Sequence, residues 1–321
     1  MKNYVYSSVL KDEFLHYLRI RSAQGFEDQN VYIMHSLDKY LADHNVREKE
    51  LSPTIIDGWL SESSQTICAS TLVHYVSYVI GFGKYLSSLG YSAFVPEHPS
   101  HADTYVPYIF SSNEISAILK VADNMKFGSE RSRFQFPMFL RLLYGCGLRH
   151  SEALKLRLSD VDLNNGVIMV INAKGNRDRL VPMDAGLTVI MRKYCHRIYA
   201  KEQDNTLIFE GERGKIHGQS WAKSLFGKLL ATLHMERRDL PKHARGICLH
   251  CFRHTFAVNS LRQQEHVGID SYDISPLLSI YLGHAKLMET QRYLHMTAEN
   301  SIDILAATSE YTAGMFPEVP L

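Results

Sequence analysis

Residues 162–182 read Asp-Leu-Asn-Asn-Gly-Val-Ile-Met-Val-Ile-Asn-Ala-Lys-Gly-Asn-Arg-Asp-Arg-Leu-Val-Pro, and this stretch decides the fold class. Asp162 to Gly166 has the composition of a turn, and the run Val167–Ile171 is β-branched and apolar enough to predict a short strand. Ala173-Lys174-Gly175-Asn176 makes a second turn, and Arg179-Leu180-Val181-Pro182 reads as the returning strand. This hairpin is the one firm β signal in the chain, and the segments on both sides repeat their apolar residues at helical period. The expected class is therefore mainly α with a small antiparallel β-sheet.

Upstream of the hairpin, residues 134–157 are apolar and helical but interrupted at Gly145-Cys146-Gly147. A helix before them should start at Ser111-Ser112-Asn113-Glu114, an N-cap signal followed by Ile115, Ile118 and Leu119. Downstream, from Ala185 to about residue 310, the pattern is again mostly helical. The first hundred residues carry four helical patterns of their own. Residues 7–22 align Val9, Leu10, Phe14, Tyr17 and Leu18, and residues 28–44 align Val31, Met34, Leu37, Tyr40 and Leu41. A third helix follows Ser52-Pro53, with proline suited to a first turn, and a fourth covers 69–89. The proline-containing stretch 91–107 reads as a connection between two domains. Domain bounds follow: a helical bundle at 1–95, a linker at 96–107, a mixed domain at 108–300 and a tail at 301–321. In the tail, Ile302, Leu305 and Ala306 could face one side of an amphipathic helix.

The 321 residues fit two domains at about 150 residues each. A content of 45% hydrophobic and 21% charged residues excludes bulk disorder. No run of eighteen apolar residues predicts a membrane span, and the first residues lack an apolar signal core, so a cytoplasmic, nucleoid-associated location is expected. The net charge of +1 argues at first against a nucleic-acid partner, whose binding domains often reach a pI above about 9. That total averages two unlike parts. The first hundred residues hold 8 Lys+Arg and 11 Asp+Glu, a net of −3, and the remainder holds 27 and 23, a net of +4.

Four clusters in the second part combine cations or imidazoles with structure that would hold them. In Gly147-Leu148-Arg149-His150-Ser151-Glu152 the glycine ends one helix and presents Arg149 beside the start of the next, where free amides favour an anion. Lys174 stands at the hairpin tip. His250 and Arg253, three residues apart, share a helix face and could grip one phosphate. Leu282-Gly283-His284 is followed nine residues later by Tyr293.

This ordered set closely resembles the tyrosine recombinase (phage integrase) family. The family has a G-L-R-x-x-E turn, a hairpin lysine, an H-x-x-R box and L-G-H followed by tyrosine. These fit Gly147–Glu152, Lys174, His250–Arg253 and Leu282–His284 with Tyr293. Cys146, where many relatives carry threonine, is a departure that removes no catalytic group. The resemblance covers residues 105–300 by motif and 7–95 by general architecture. It implies a SAM-like core-binding domain at 1–95 and a catalytic domain at 108–300. It implies site-specific recombination through a 3′-phosphotyrosyl intermediate and a Holliday junction, without ATP, cofactor or metal. Tyr293 would be the nucleophile, and Arg149, Lys174, His250, Arg253 and His284 would complete the catalytic set. Glu152 would support them by orienting Arg149 or His250. The implied partners are double-stranded recombination sites, a homotetramer on synapsed DNA and accessory proteins, with the 301–321 tail exchanged between protomers.

The chemistry suits the residue types. A phenol is a weak nucleophile until its proton can leave, and fixed cations stabilise the charge that grows on the phosphate oxygens. Lys174 would protonate the leaving 5′ oxygen and His250 would handle protons near the tyrosine. Further DNA contacts are expected from Arg213 and Lys215 in one basic turn and from Arg237, Arg238, Lys242 and Arg245 in another. The bundle, with Arg19, Arg21, Lys39, Arg47 and Lys49, would clasp the duplex from the opposite face. Tyr272 and Tyr281 are rival nucleophiles. Competing functions are a type IB topoisomerase-like relaxing enzyme, a binding-only architectural protein, and a zinc module built on Cys248 and Cys251 with nearby His243, His250 and His254. Asp160 and Asp162 raise a two-metal nuclease, but no third carboxylate stands at a telling spacing.

Overall fold

The computed structural model describes residues 4–26, 31–98, 106–171, 178–198, 206–236, 246–284 and 286–298. Lys174, Arg237, Arg238, Lys242, Arg245 and the 301–321 tail lie outside these residues. The chain divides into two units, Met1–Thr104 and Tyr105–Leu321.

The first unit consists of α1 (Lys11–Ala23), α2 (Val31–Asp43), α3 (Pro53–Ser64) and α4 (Ala69–Ser88). The periodic residues do what their spacing predicts: Leu10, Phe14, Tyr17, Met34, Leu37 and Leu41 are buried in one core with Trp59, Val79, Phe82 and Leu86. Phe14 and Phe82 stack with ring centroids 4.3 Å apart at its centre. The Ser52 side chain accepts the Ile55 amide and starts α3 with Pro53 in its first turn. Leu51 bridges Ala93 in parallel, and Tyr91 and Ala93 pack on this core, so residues 91–93 belong to the bundle that precedes them.

In the second unit a capping box starts α5 (Ser112–Asp123): Ser111 Oγ accepts the Glu114 amide, and Glu114 Oε2 accepts the Ser111 amide. Next come α6 (Glu130–Cys146) and the short α7 (His150–Lys155). Gly147, between them, ends α6 at φ +59°, and a Cβ there would stand 2.5 Å from the Phe256 ring. Only glycine satisfies both the left-handed turn and the close approach.

The sheet has three strands in the order β1-β2-β3, all antiparallel: β1 (Val161–Asp162), β2 (Val167–Val170) and β3 (Arg179–Pro182). Ile168, Val170 and Val181 face the core, while Met169 and Leu180 face outward. β1 is a correction to the hairpin expected from sequence, since two residues are too few to show an alternation. The side chains of Asp160 and Asp162 accept backbone amides of Arg157, Asn164 and Asn165, which makes them turn-forming groups. Helices α8 (Ala185–Ile198) and α9 (Gln219–Thr232) complete the main core with α5, α6 and the sheet. Helices α10 (His250–His266), α11 (Ser271–Leu282) and α12 (Met288–Ala298) enclose a smaller one. Among the described residues no helix is long and apolar enough to cross a membrane.

One buried ion network joins the sheet to the helices. Glu152, on α7, accepts Arg149 Nη1 at 2.9 Å and Arg179 Nη2 at 2.8 Å, with further bonds from Arg179 Nη1 and the Arg149 amide. Arg179 Nε continues to the Tyr281 carbonyl on α11 at 2.8 Å. Burial alone would raise the Glu152 carboxyl, but the Arg179 and Arg149 bonds and the Arg179 charge outweigh it and hold the group down to about 2.

Two stability predictions follow from these cores. Phe82→Ala should cost ~3–5 kcal/mol, because it opens a cavity beside Phe14 that the four helices cannot close; urea denaturation of the first unit's transition would measure it. Glu152→Gln should cost ~3–5 kcal/mol at neutral pH by leaving buried guanidinium charge uncompensated. The wild-type carboxylate titrates below its unfolded value of about 4.3. Its contribution is therefore complete above about pH 5 and declines as pH falls towards 2. Denaturation midpoints of the wild type should drop over that interval, and those of the variant should change less.

Candidate active site

The site forms where α6 and α11 end. Both helices stop at left-handed glycines, Gly147 at φ +59° and Gly283 at φ +66°, and both leave terminal carbonyls that need donors. Arginines supply them. Arg253, 1% exposed on α10, donates Nη1 to the Gly147 carbonyl at 2.7 Å and Nη2 to the Leu282 carbonyl at 2.6 Å. Arg149 donates Nη2 to the Gly283 carbonyl at 2.9 Å while its Nη1 holds Glu152. A cation at a helix C-terminus is favoured by the aligned peptide dipoles, so two helix ends and one carboxylate hold guanidiniums that would otherwise repel. Each guanidinium has five N–H donors, more than these partners take up. Burial, then the Arg149 charge, lowers the Arg253 pKa to about 10.

His284, just past Gly283, is anchored through Nδ1 to Thr290 Oγ1 at 2.6 Å, which directs Nε2 away from that contact. Burial followed by the charges of Arg253, Arg149 and Arg292 lowers its pKa to about 3. Its ring stacks against Tyr293 with centroids 6.3 Å apart. Tyr293, on α12, is 2% exposed, and burial raises its pKa against the opposing pull of Arg253, Arg292 and Arg149. The Tyr293 hydroxyl lies 2.9 Å from Nδ1 of His254. His250, one turn earlier on α10, contacts the His254 ring edge-to-face at 4.5 Å. His250 is open to solvent on one side, yet desolvation on its packed side, then Arg253 and Arg149, pushes it down to about 4.

Arg149, Glu152, His250, Arg253, His284 and Tyr293 are thus gathered from α7, α10, α11 and α12 into one place. Lys174 lies outside the described residues, but the β2 and β3 strands on either side of it are fixed, and β3 is tied to Glu152 through Arg179. Arg213 and Lys215 are exposed in a tight turn after Gly211, whose carbonyl accepts Arg131 at the opposite end of α6. The same turn meets Gln135 through the Glu210 carbonyl, so it packs on the first half of α6, at the end away from Gly147. Tyr281 is held through a weak bond to the Pro182 carbonyl, and Tyr272 is 70% exposed. Cys248 and Cys251 stand with their sulfurs 3.8 Å apart at the start of α10. Among the described residues no group of three or more His, Cys, Asp or Glu side chains is disposed to hold a metal.

Arg179 and Thr290 are not singled out by sequence reasoning, and His254 enters it only as a possible zinc ligand. Arg179 had a signal: it stands two residues before the buried Val181 in a strand, on the parity that faces the protein. His254 had one as well, four residues after His250 on the same helix. Thr290 had none, because its partner His284 is six residues away across a turn.

Comparison with known proteins agrees with this geometry. Residues 109–300 match the phage integrase family. The chain is 29% identical over 303 residues to tyrosine recombinase XerD of Oceanobacillus iheyensis, covering 89% of this chain and 93% of that one. It is 25% identical over 304 residues to tyrosine recombinase XerC of Thermodesulfovibrio yellowstonii, covering 91% and 93%. The fold is similar to that of the XerH site-specific recombinase bound to a palindromic difH substrate, with a TM-score of 0.64 and 17% identity over 88% of this chain and 78% of that one. With its catalytic-type residues assembled at two helix ends and more than half its length matched, the chain belongs to the phage integrase family and is a tyrosine recombinase.

Proposed function

We propose that this enzyme cuts and rejoins DNA strands at specific sites through a 3′-phosphotyrosyl intermediate, with pairwise strand exchange through a Holliday junction. The observation that carries it is the convergence of Arg149, Arg253 and His284 on Tyr293. The phenolic oxygen attacks phosphorus, the phenolic proton leaves, and the bond from phosphorus to the 5′ oxygen breaks. Arg149 and Arg253 bind the non-bridging oxygens as charge grows on them, from positions already set by helix carbonyls and Glu152. His284 adds a donor through Nε2. Lys174, in the segment between β2 and β3, protonates the leaving 5′ oxygen. Because the phosphotyrosyl bond retains the energy of the one it replaces, attack by a second 5′ hydroxyl rejoins strands without ATP.

The wider assignments belong to the same proposal. The substrate is double-stranded DNA carrying recombination sites, and four protomers act on two sites, with the 301–321 segment docking on a neighbouring protomer. The helical unit serves as the core-binding domain, joined through residues 96–107. Arg213 and Lys215, well separated from the reacting centre, contact outlying phosphates together with Arg237, Arg238, Lys242 and Arg245. The relatives matched over about nine-tenths of the chain are recombinases, which supports strand exchange over relaxation or binding alone.

Two measurements test the proposal. A nicked suicide substrate should trap a covalent protein–DNA adduct on denaturing gels, and Tyr293→Phe should abolish it. An undiminished adduct in that variant would move the nucleophile elsewhere. DNA affinity should also fall linearly on a log–log plot against salt, since neutralised phosphates release counterions. Removing one outlying cation by Arg213→Ala should reduce that slope by about one unit without lowering the rate at which saturated complexes cleave.

A further inference from the structure

The Tyr293 hydroxyl does not lie against His250, the histidine of the H-x-x-R box. Its hydrogen-bond partner is His254, one turn further along α10, with Nδ1 to oxygen at 2.9 Å. The imidazole is 3% exposed and the tyrosine 2%, so no water competes for this bond. The geometry points to His254 as the catalytic residue that accepts the proton of Tyr293 when the phenol attacks phosphorus. This inference rests on the phosphotyrosyl reaction proposed above and assigns one of its proton transfers.

The phenolic O–H bond breaks and its proton passes to Nδ1 of His254, while the electron pair it leaves forms the bond from oxygen to phosphorus. The bond to the 5′ oxygen breaks, and that oxygen takes its proton from a separate donor. In the neutral imidazole one nitrogen accepts and the other carries hydrogen, so accepting at Nδ1 places the resting proton of His254 on Nε2.

The surroundings keep His254 in the state this role needs. Facing it are His250 and Arg253 from its own helix, His284 from the turn after α11, and Arg292 and Tyr293 from α12, with Glu289 near the tyrosine. Burial, then His250 and these cations, holds it neutral at physiological pH. The same cations make imidazolium a poor resting state. The transferred proton would therefore be short-lived unless the bound phosphate offsets it, which couples proton acceptance to substrate occupancy. His250 meets the His254 ring edge-to-face and is open to solvent, so it is not the group that holds the phenolic hydrogen.

The test uses the full chain and the nicked suicide substrate, with melting temperature and DNA affinity as controls for folding. His254→Ala should slow adduct formation at neutral pH by about 10²–10⁴-fold, the usual contribution of a positioned base. The deficit should shrink as pH rises towards 10, where hydroxide can take the proton, and added imidazole should restore part of the rate. His254→Asn can hold the hydroxyl through its amide oxygen but cannot take a proton, so it should remain slow. An Asn variant as fast as wild type, or an Ala deficit that is constant with pH and insensitive to imidazole, would overturn the assignment. Failure of the underlying reading would look different, because wild type itself would then form no adduct. The hydrogen bond is checked apart from activity by the imidazole 15N shifts of His254 in DNA-free protein. They should move in Tyr293→Phe, and unchanged shifts would also refute the inference.

Discussion

The second unit depends on one buried carboxylate. Glu152 accepts hydrogen bonds from the guanidinium and backbone amide of Arg149, three residues away, and from the guanidinium of Arg179, which comes from a different part of the chain. Arg149 is the N-cap of its own helix, and Arg179 lies in β3. A charge buried this far is costly unless matched, so the three groups are stable only together. That requirement sets the position of Arg149, orients the hairpin and, through the bond from Arg179 to the Tyr281 carbonyl, places the end of α11. Gly283 makes this fit possible, because a Cβ at its φ of +66° would press within 3.2 Å of the Arg179 guanidinium.

Much of this was legible in the sequence, for identifiable reasons. The helices of both units follow from apolar spacing, and the caps at Ser52 and Ser111 follow from residue type. The site residues were legible because four short motifs keep their order along the chain, and motif spacing reflects helix turns that the structure preserves. What was hidden depends on contacts between distant segments. Arg179 is 27 residues from Glu152 and 102 from Tyr281, and His254 is 39 from Tyr293. No local pattern reports those pairings. β1 was hidden for a different reason: its two residues are recruited by the edge of β2 and have little strand character of their own.

The placement of His250 and His254 shows how neighbouring histidines on one helix come to differ in environment. Four residues apart, they share a face, yet His250 is open to solvent and His254 is sealed beneath α12. Both are kept neutral, but only His254 touches the phenol. A sequence motif identifies the helix face, and packing decides which imidazole on that face meets Tyr293.

A net charge of +1 is compatible with phosphate chemistry because this site does not draw on the total charge of the protein. It places guanidiniums at the C-terminal ends of α6 and α11, where carbonyl dipoles of opposite sign offset their mutual repulsion before any DNA arrives. The cations are therefore ordered in advance, and the proposed reaction would leave little reorganisation to the moment when charge grows on the phosphate oxygens. Surface charge could not do this, since exposed lysines and arginines are screened by salt and free to move. The carbonyls, unlike a phosphate, hold only partial charge. A bound phosphate can thus add to them as a stronger acceptor for the remaining N–H groups without dismantling the scaffold that positions them.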